Sequence, residues 1–193
     1  MIRKLSAACG LVLISTAAVA HPGHEHLSSF ASGFAHPFMG ADHFLAMFAL
    51  GIWAAQWKGP SMFLAPALFI LSMSIGAVFA WNGGSIHFAE HGIAWSVLAI
   101  GLLIATVPAH GRIARLALPL IAAGAAMHGY AHAVEAPMQT SGAGFISGFV
   151  MATAMLHGAG ILLGRQLRER RDLKIVSGFG VAMAGSTLLW ALT

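Results

Sequence analysis

The sequence has little charge and almost no cysteine, and each scarcity removes a class of protein. Only 8% of its 193 residues are charged and 58% are hydrophobic, whereas a soluble domain carries about 25% charged residues. A soluble globule of this size could not bury so much apolar surface, so the composition predicts an integral membrane protein. The single cysteine, Cys9, lies in a segment that we expect to be removed. A disulfide framework and a thiolate metal site are therefore both excluded.

Residues 1–20 are typical of a secretory signal peptide. Arg3 and Lys4 form a basic start, an apolar stretch follows, and Ala18-Val19-Ala20 is a small-x-small cleavage motif. An uncleaved anchor helix is the alternative interpretation. Cleavage would leave residues 21–33 as an external tail. Its histidines predict a metal-capturing segment, with a flexible polar leader as the alternative, and they are His21, His24 and His26.

Residues 34–193 contain six apolar segments, each close to the ~20 residues that cross a bilayer as a helix. If the N-terminus of the mature chain is outside, every basic residue after the signal falls in the first, third or fifth loop, which then face the cytoplasm. The sequence thus predicts an all-α integral membrane protein, a six-transmembrane helix bundle after a cleavable signal peptide, with N-terminus and C-terminus outside. The net charge of +4 reflects this topology and does not imply nucleic-acid binding. The predicted spans are 34–56, 61–81, 91–108, 113–134, 142–164 and 174–192.

The first span contains three ionisable side chains, which are costly in hydrocarbon and mark a functional site by default. His36 and His43 are seven residues apart and therefore share one face of a helix. Asp42 lies about one residue step around that helix, where it can flank the site or orient a histidine. Pro37 lacks an N–H group, so the helix loses a backbone bond beside His36 and we expect a kink there.

The fourth span contains a second group of the same kind. His128, His132 and Glu135 follow one another at i, i+4 and i+7 and share a face. The loop charges place both groups in the outer half of the membrane, so we expect them to meet at similar depth. Imidazoles and carboxylates without thiolate suit Ni²⁺, Co²⁺ and Zn²⁺, and suit Cu(I) less well. The predicted metal site comprises His36, Asp42, His43, His128, His132 and Glu135.

Other polar residues suggest a pathway through the membrane. His87, Glu90 and His91 belong to the second external loop and the start of the third span. They either pass a cation inward or are solvated loop residues. His157 lies in the inner half of the fifth span, where it is either a way-station for the cation or a packing histidine that is hydrogen-bonded between helices.

The two groups of residues resemble the signature motifs of the HupE/UreJ family. The matching stretches are His36-x5-Asp42-His43 in the first span and His128-Gly129-Tyr130-Ala131-His132-x2-Glu135 in the fourth. The resemblance covers essentially the whole chain and includes Leu156-His157-Gly158. It implies a nickel/cobalt permease of hydrogenase and urease gene clusters, with a cleaved signal and six spans. Met127 and Ala133 stand where the family usually has Phe and Gly, a departure that concerns packing more than ligation.

We therefore predict a secondary transporter of the bacterial inner (cell) membrane, a permease that imports Ni²⁺ or Co²⁺ and is not an enzyme. The divalent metal ion is its substrate, and no permanently bound cofactor is expected. The sequence has no nucleotide-binding motif, so drive by ATP would require another subunit. The alternative is an intramembrane metal-dependent hydrolase or lipid hydroxylase that uses the same residues to activate water or oxygen. Such an enzyme needs a lipid-sized opening between helices beside the site, which a permease does not.

Overall fold

A computed structural model of the chain describes residues 29–106, 111–136 and 141–193. The predicted signal peptide and most of the predicted metal-capturing tail, with His21, His24 and His26, lie outside these ranges. Within them the secondary structure is entirely helical, as expected where backbone polar groups must be satisfied inside the segment that carries them. The helices are α1 (Ser29–Met39), α2 (Ala41–Ala54), a 3₁₀ helix (Gly59–Phe63), α3 (Leu64–Trp81), α4 (Ala89–Thr106), α5 (Arg112–Val134), α6 (Gly142–Leu167) and α7 (Arg171–Ala191).

Five segments are long and apolar enough to cross a membrane, and each has at least 18 residues. The all-α class is therefore confirmed, and the chain is a multi-pass membrane protein. The shorter helix α2 is also apolar beyond its first turn, with nine buried residues. The five segments are Gly59–Trp81, Ala89–Thr106, Arg112–Val134, Gly142–Leu167 and Arg171–Ala191.

The predicted first span over 34–56 is interrupted in the structure. The chain forms two helices instead, α1 and α2, which begin at Ser29 and end at Ala54. They are separated by Gly40, whose backbone is extended with φ −99° and ψ 123°. Pro37 inside α1 cannot donate a backbone hydrogen bond, which weakens the last turn of that helix. The expected kink beside His36 is thus a full break three residues after the proline.

Helices α1 and α2 together run alongside α6 for most of its length. A Cβ atom added to Gly148 near the start of α6 would overlap the carbonyl oxygen of Phe30, and one added to Gly160 would overlap that of Phe48. Gly164 near the end of α6 packs in the same way against Ile52. The contacts advance in the same direction along both partners, so the broken pair and α6 are parallel. Only glycine allows backbones to approach so closely.

Glycines also join the other helices in pairs. Gly76 of α3 and Gly129 of α5 each lie against the backbone of the other helix. Gly101 of α4 faces Gly178 and Ala182 of α7, and these two helices are antiparallel. Most of α7 is exposed on the outside of the bundle, with three buried residues. The bundle is therefore built from three close helix pairs, and its core is formed mainly by α2, α3, α5 and α6.

Basic side chains gather at one end of the bundle. The guanidinium group of Arg168 donates to the carbonyl oxygen of Ala55 over 2.6 Å, and that of Arg165 contacts the sulfur of Met62 at 3.3 Å. The opposite end is closed by a hydrogen bond from the backbone N–H of Ser141 to the hydroxyl of Ser29, 2.8 Å long. The start of α1 and the end of α2 therefore lie at opposite ends of the molecule.

Candidate metal centre

The break between α1 and α2 places two histidines on either side of a non-helical residue. His36 is in the last turn of α1, and His43 is in the first turn of α2. Their ring centroids are 6.0 Å apart. His43 is only 5% exposed, although it lies near the end of the bundle away from the basic side chains. About 12 residues of α2 separate it from that basic end, which corresponds to roughly 18 Å of helix.

Helix α5 brings two further imidazoles to the same place. His128 and His132 are one helical turn apart, and both are completely buried. The ring of His132 lies 4.3 Å from that of His43 and 4.6 Å from that of His36, measured between centroids. The ring of His128 lies 4.9 Å from that of His43. The structure therefore brings together all four histidines that helical spacing assigned to one site.

Three of these rings present their ligand nitrogens to one another. One ring nitrogen each of His36, His43 and His132 lies within 4.8 Å of the other two. Two imidazole nitrogens that bind one metal ion at about 2.1 Å are at most ~4.2 Å apart, so a small inward movement of the rings would bring all three nitrogens onto a single ion. These three histidines, with His128 beside them, are called the outer cluster below.

Asp42 determines which nitrogen of His43 is free to bind a metal. One carboxylate oxygen of Asp42 accepts hydrogen bonds from Nδ1 and from the backbone N–H of His43, each 2.8 Å long. A proton on Nδ1 leaves the lone pair on Nε2, and this nitrogen is buried without a hydrogen-bond partner among the described residues. A carboxylate behind a histidine in this way orients metal ligands in many proteins and raises their basicity.

Glu135 plays the same part for His36. Its carboxylate accepts a hydrogen bond of 3.0 Å from Nε2, so the lone pair of His36 is on Nδ1. This hydrogen bond holds the pKa of the Glu135 carboxyl below its ordinary value of 4.5. Glu135 directly follows the last residue of α5, and its side chain is half exposed. The two predicted carboxylates therefore support the histidines from behind.

A serine that the sequence analysis did not identify orients the fourth imidazole. Ser96 of α4 donates its hydroxyl proton to the carbonyl oxygen of Ile93 over 2.7 Å. Its oxygen must therefore accept from Nε2 of His128, 2.9 Å away. The lone pair of His128 is then on Nδ1, which is buried and has no partner among the described residues. Nothing in the sequence distinguishes Ser96 from other small residues at helix interfaces.

His132 is the least satisfied member of the outer cluster. Both of its ring nitrogens are buried without a hydrogen-bond partner in the part of the chain that the structure describes. Its ring stacks on Phe149 of α6, with centroids 5.2 Å apart and planes inclined by 18°. An unpaired buried polar group costs about 1–3 kcal/mol. A bound cation would remove that cost, because it supplies the partner that the protein does not.

The remaining predicted residues lie around or below this cluster. Glu90 and His91 are exposed in the first turn of α4, and His87 is exposed in the preceding turn. His157 of α6 is buried deeper in the bundle and does not belong to the cluster.

An apolar cleft between α4 and α5 bears on the enzyme alternative. Its volume is about 190 Å³, below the ~300–1,000 Å³ of typical small-molecule pockets. Ser96 is its only polar lining residue, and no histidine or carboxylate of the cluster lines it. The cleft is thus too small for a lipid substrate and does not expose the metal-binding groups. Its other lining residues are Ala99, Ile100, Leu102, Leu103, Ala117, Leu120 and Ile121.

Comparison with known proteins gives two matches. The family model described as HupE / UreJ protein matches residues 9–189. Protein HupE of Rhizobium leguminosarum bv. viciae is 33% identical to this chain over 189 residues, which cover 96% of the chain and 97% of that relative. No solved structure matches the chain.

Proposed function

The chain belongs to the HupE/UreJ family, and from that premise and the outer cluster we propose that it is a secondary permease for a divalent transition-metal cation, Ni²⁺ or Co²⁺. The family is associated with nickel and cobalt transport, and its motifs contain the residues of the cluster. The import of one of these ions across the bacterial inner membrane is the specific function proposed here.

The observation that carries the proposal is the unsatisfied imidazole of His132 between His36 and His43. Three neutral nitrogens converge there, while Asp42 and Glu135 supply two negative charges behind the ligands. Two carboxylates balance the charge of a divalent cation, which matters because an unbalanced charge in a low-dielectric site is expensive. Imidazole ligands without thiolate suit Ni²⁺ and Co²⁺.

The fold supports a topology with six spans and both termini outside. In this arrangement α1 and α2 form one broken span, which matches α6 in length and direction. Non-helical backbone at membrane depth is tolerated where it is buried in protein or lines a cavity. The basic end of the bundle then faces the cytoplasm, and the outer cluster lies in the external half of the membrane.

Transport would begin with capture of the cation at the external mouth. The tail histidines His21, His24 and His26 concentrate the ion there, together with a loop group made up of His87, Glu90 and His91. The ion exchanges its water for the imidazoles of the outer cluster and then moves inward. The membrane potential supplies about 2.3 kcal/mol per charge per 100 mV for this movement.

Uptake of radiolabelled Ni²⁺ and Co²⁺ tests the proposal in cells that lack other importers of these metals. The variants His36→Ala and His132→Ala remove one imidazole each from α1 and α5. We expect both to lose uptake at equal membrane abundance, because each leaves the cation with an incomplete ligand set.

Val134→Ala is a matched control, because Val134 lies on α5 two residues from His132 and is 61% exposed. It should transport like the wild type. Wild-type cells that accumulate neither metal would refute the permease. Loss of uptake in only one histidine variant would show that α1 and α5 do not share a cation site.

A further inference from the structure

Two buried methionines and a threonine form a polar layer beneath the outer cluster. Met47 of α2, Met73 of α3 and Thr153 of α6 are all 0% exposed. The hydroxyl of Thr153 donates to the sulfur of Met47 over 3.2 Å, and the sulfur of Met73 is 3.8 Å away. A buried threonine in a helix ordinarily donates to a carbonyl of the preceding turn. Here the hydroxyl instead lies between two thioethers.

The layer lies one helical turn inward of the outer cluster. Met47 follows His43 by four residues on α2, and Thr153 follows Phe149, whose ring stacks on His132, by four on α6. One turn of helix rises about 5.4 Å. A cation that leaves the cluster toward the basic end would therefore meet these sulfurs first.

His157 adds an imidazole nitrogen to the same region. It lies one turn beyond Thr153 on α6, and its Nδ1–H donates to the carbonyl oxygen of Met47 over 2.7 Å. The lone pair is therefore on Nε2, which is buried and has no partner among the described residues. The ring of Phe69 lies between the two levels, with its centroid 5.2 Å from His157 and 5.6 Å from His128.

The donors of this region differ in chemistry from those of the outer cluster. Thioethers are soft ligands that favour Cu(I) over hard cations. All of the donors are neutral, while the carboxylates Asp42 and Glu135 are bound to histidines of the outer cluster. The cost of burying a charge rises with its square, so neutral donors accommodate a monovalent ion far more easily than a divalent one.

We propose that Met47, Met73 and Nε2 of His157 form a second, inner site for a soft monovalent cation of the Cu(I)/Ag(I) class. This proposal rests on the proposed function in one respect: it takes the outer cluster to be the site of the divalent cation. A monovalent ion in the inner site lies on the inward path and therefore blocks uptake of the divalent one.

Binding of Ag(I) to the purified full-length chain tests the inner site. The chain carries Cys9→Ser so that no thiol is present even where the predicted signal peptide is retained, and Ni²⁺ is added first to fill the outer cluster. X-ray absorption at the silver edge should then show sulfur neighbours while Ni²⁺ stays bound. We expect Met47→Leu and Met73→Leu each to weaken Ag(I) binding about 10-fold or more, since changing groups behind a metal ligand already costs 10–100-fold.

Leucine nearly matches methionine in volume, so both variants should fold. The control is Met155→Leu on α6, whose side chain is 53% exposed, and it should bind Ag(I) like the wild type. Silver with nitrogen neighbours alone, unchanged affinity in both core variants, or displacement of Ni²⁺ by Ag(I) would overturn the proposal. If the chain binds Ag(I) through sulfur but binds no Ni²⁺, the inner site stands and the divalent permease fails.

Discussion

Two substitutions of Asp42 separate its two contributions to metal binding, which are the orientation of His43 and the negative charge beside the site. Its carboxylate oxygen accepts from both Nδ1 and the backbone N–H of His43. Asp42→Asn retains an oxygen that accepts both hydrogen bonds but removes the negative charge. Asp42→Ala removes the charge and both acceptors, so that His43 can rotate and can place its proton on either nitrogen.

The expected magnitudes follow from these contacts. Loss of a group behind a metal-binding histidine costs about 10–100-fold in affinity, or roughly 1.4–2.8 kcal/mol. Asp42→Asn should lie toward the lower end of that range and Asp42→Ala toward the upper end. Asp42→Ala also leaves the backbone N–H of His43 in the first turn of α2 without its acceptor, and a typical hydrogen bond contributes about 0.5–1.5 kcal/mol to stability.

Equilibrium binding of radiolabelled Ni²⁺ to the purified protein measures both effects. Asp172→Asn is the matched control, because it makes the same charge change at an exposed position in the first turn of α7. It should bind Ni²⁺ like the wild type. The reasoning is refuted if Asp42→Ala binds Ni²⁺ as tightly as the wild type, or if Asp42→Asn is the weaker of the two.

Three further predictions follow from the same structure. Uptake of Ni²⁺ at fixed membrane potential should fall on acidification, because protons compete with the metal ion for the imidazole lone pairs. Uptake that stays constant at every pH at which the protein remains folded would exclude histidine ligands. Glu135→Gln should lower the melting temperature at neutral pH, because it removes the carboxylate that accepts from His36. The difference from the wild type should shrink only below pH 4.5, since a carboxyl with a depressed folded-state pKa loses its stabilising effect as the pH falls through that value. A difference that stays undiminished well below pH 4.5 would contradict the hydrogen bond to His36. Gly160→Ala should destabilise the purified protein by about 1–3 kcal/mol, because the added methyl group overlaps the carbonyl oxygen of Phe48. The control is Gly158→Ala, whose added methyl group meets nothing within 4 Å, and it should unfold like the wild type. Equal thermal unfolding of the two variants would argue against this packing.

The residues of the outer cluster could be predicted because two simple rules act on them independently. Helical spacing places His128 and His132 on one face, and the distribution of basic loop residues places that face at the depth of His36 and His43. The break at Gly40 could not be predicted in the same way, since glycine is common in this chain at 23 residues and the sequence does not show which one interrupts a helix. The roles of Thr153 and the core methionines were missed for the same reason: an apolar run does not show which sulfur faces a hydroxyl.

The pairing of the helices has an order that explains why the site forms where it does. The first half of the bundle consists of α1–α2, α3 and α4, and the second half consists of α5, α6 and α7 in the same order. If each helix is exchanged for its counterpart in the other half, the pair formed by α1–α2 and α6 becomes the pair formed by α5 and α3. Both pairs are parallel and both are joined through glycine. The same exchange returns the antiparallel pair of α4 and α7 to itself. This is the arrangement of an inverted repeat, in which the substrate site lies where the two halves meet and helices are discontinuous beside it. His36 and His43 come from the first half and His128 and His132 from the second, and the discontinuity at Gly40 adjoins them. A cation bound there, as proposed, would be held by both halves, so that a rocking of one half against the other would alter its ligands from both sides at once.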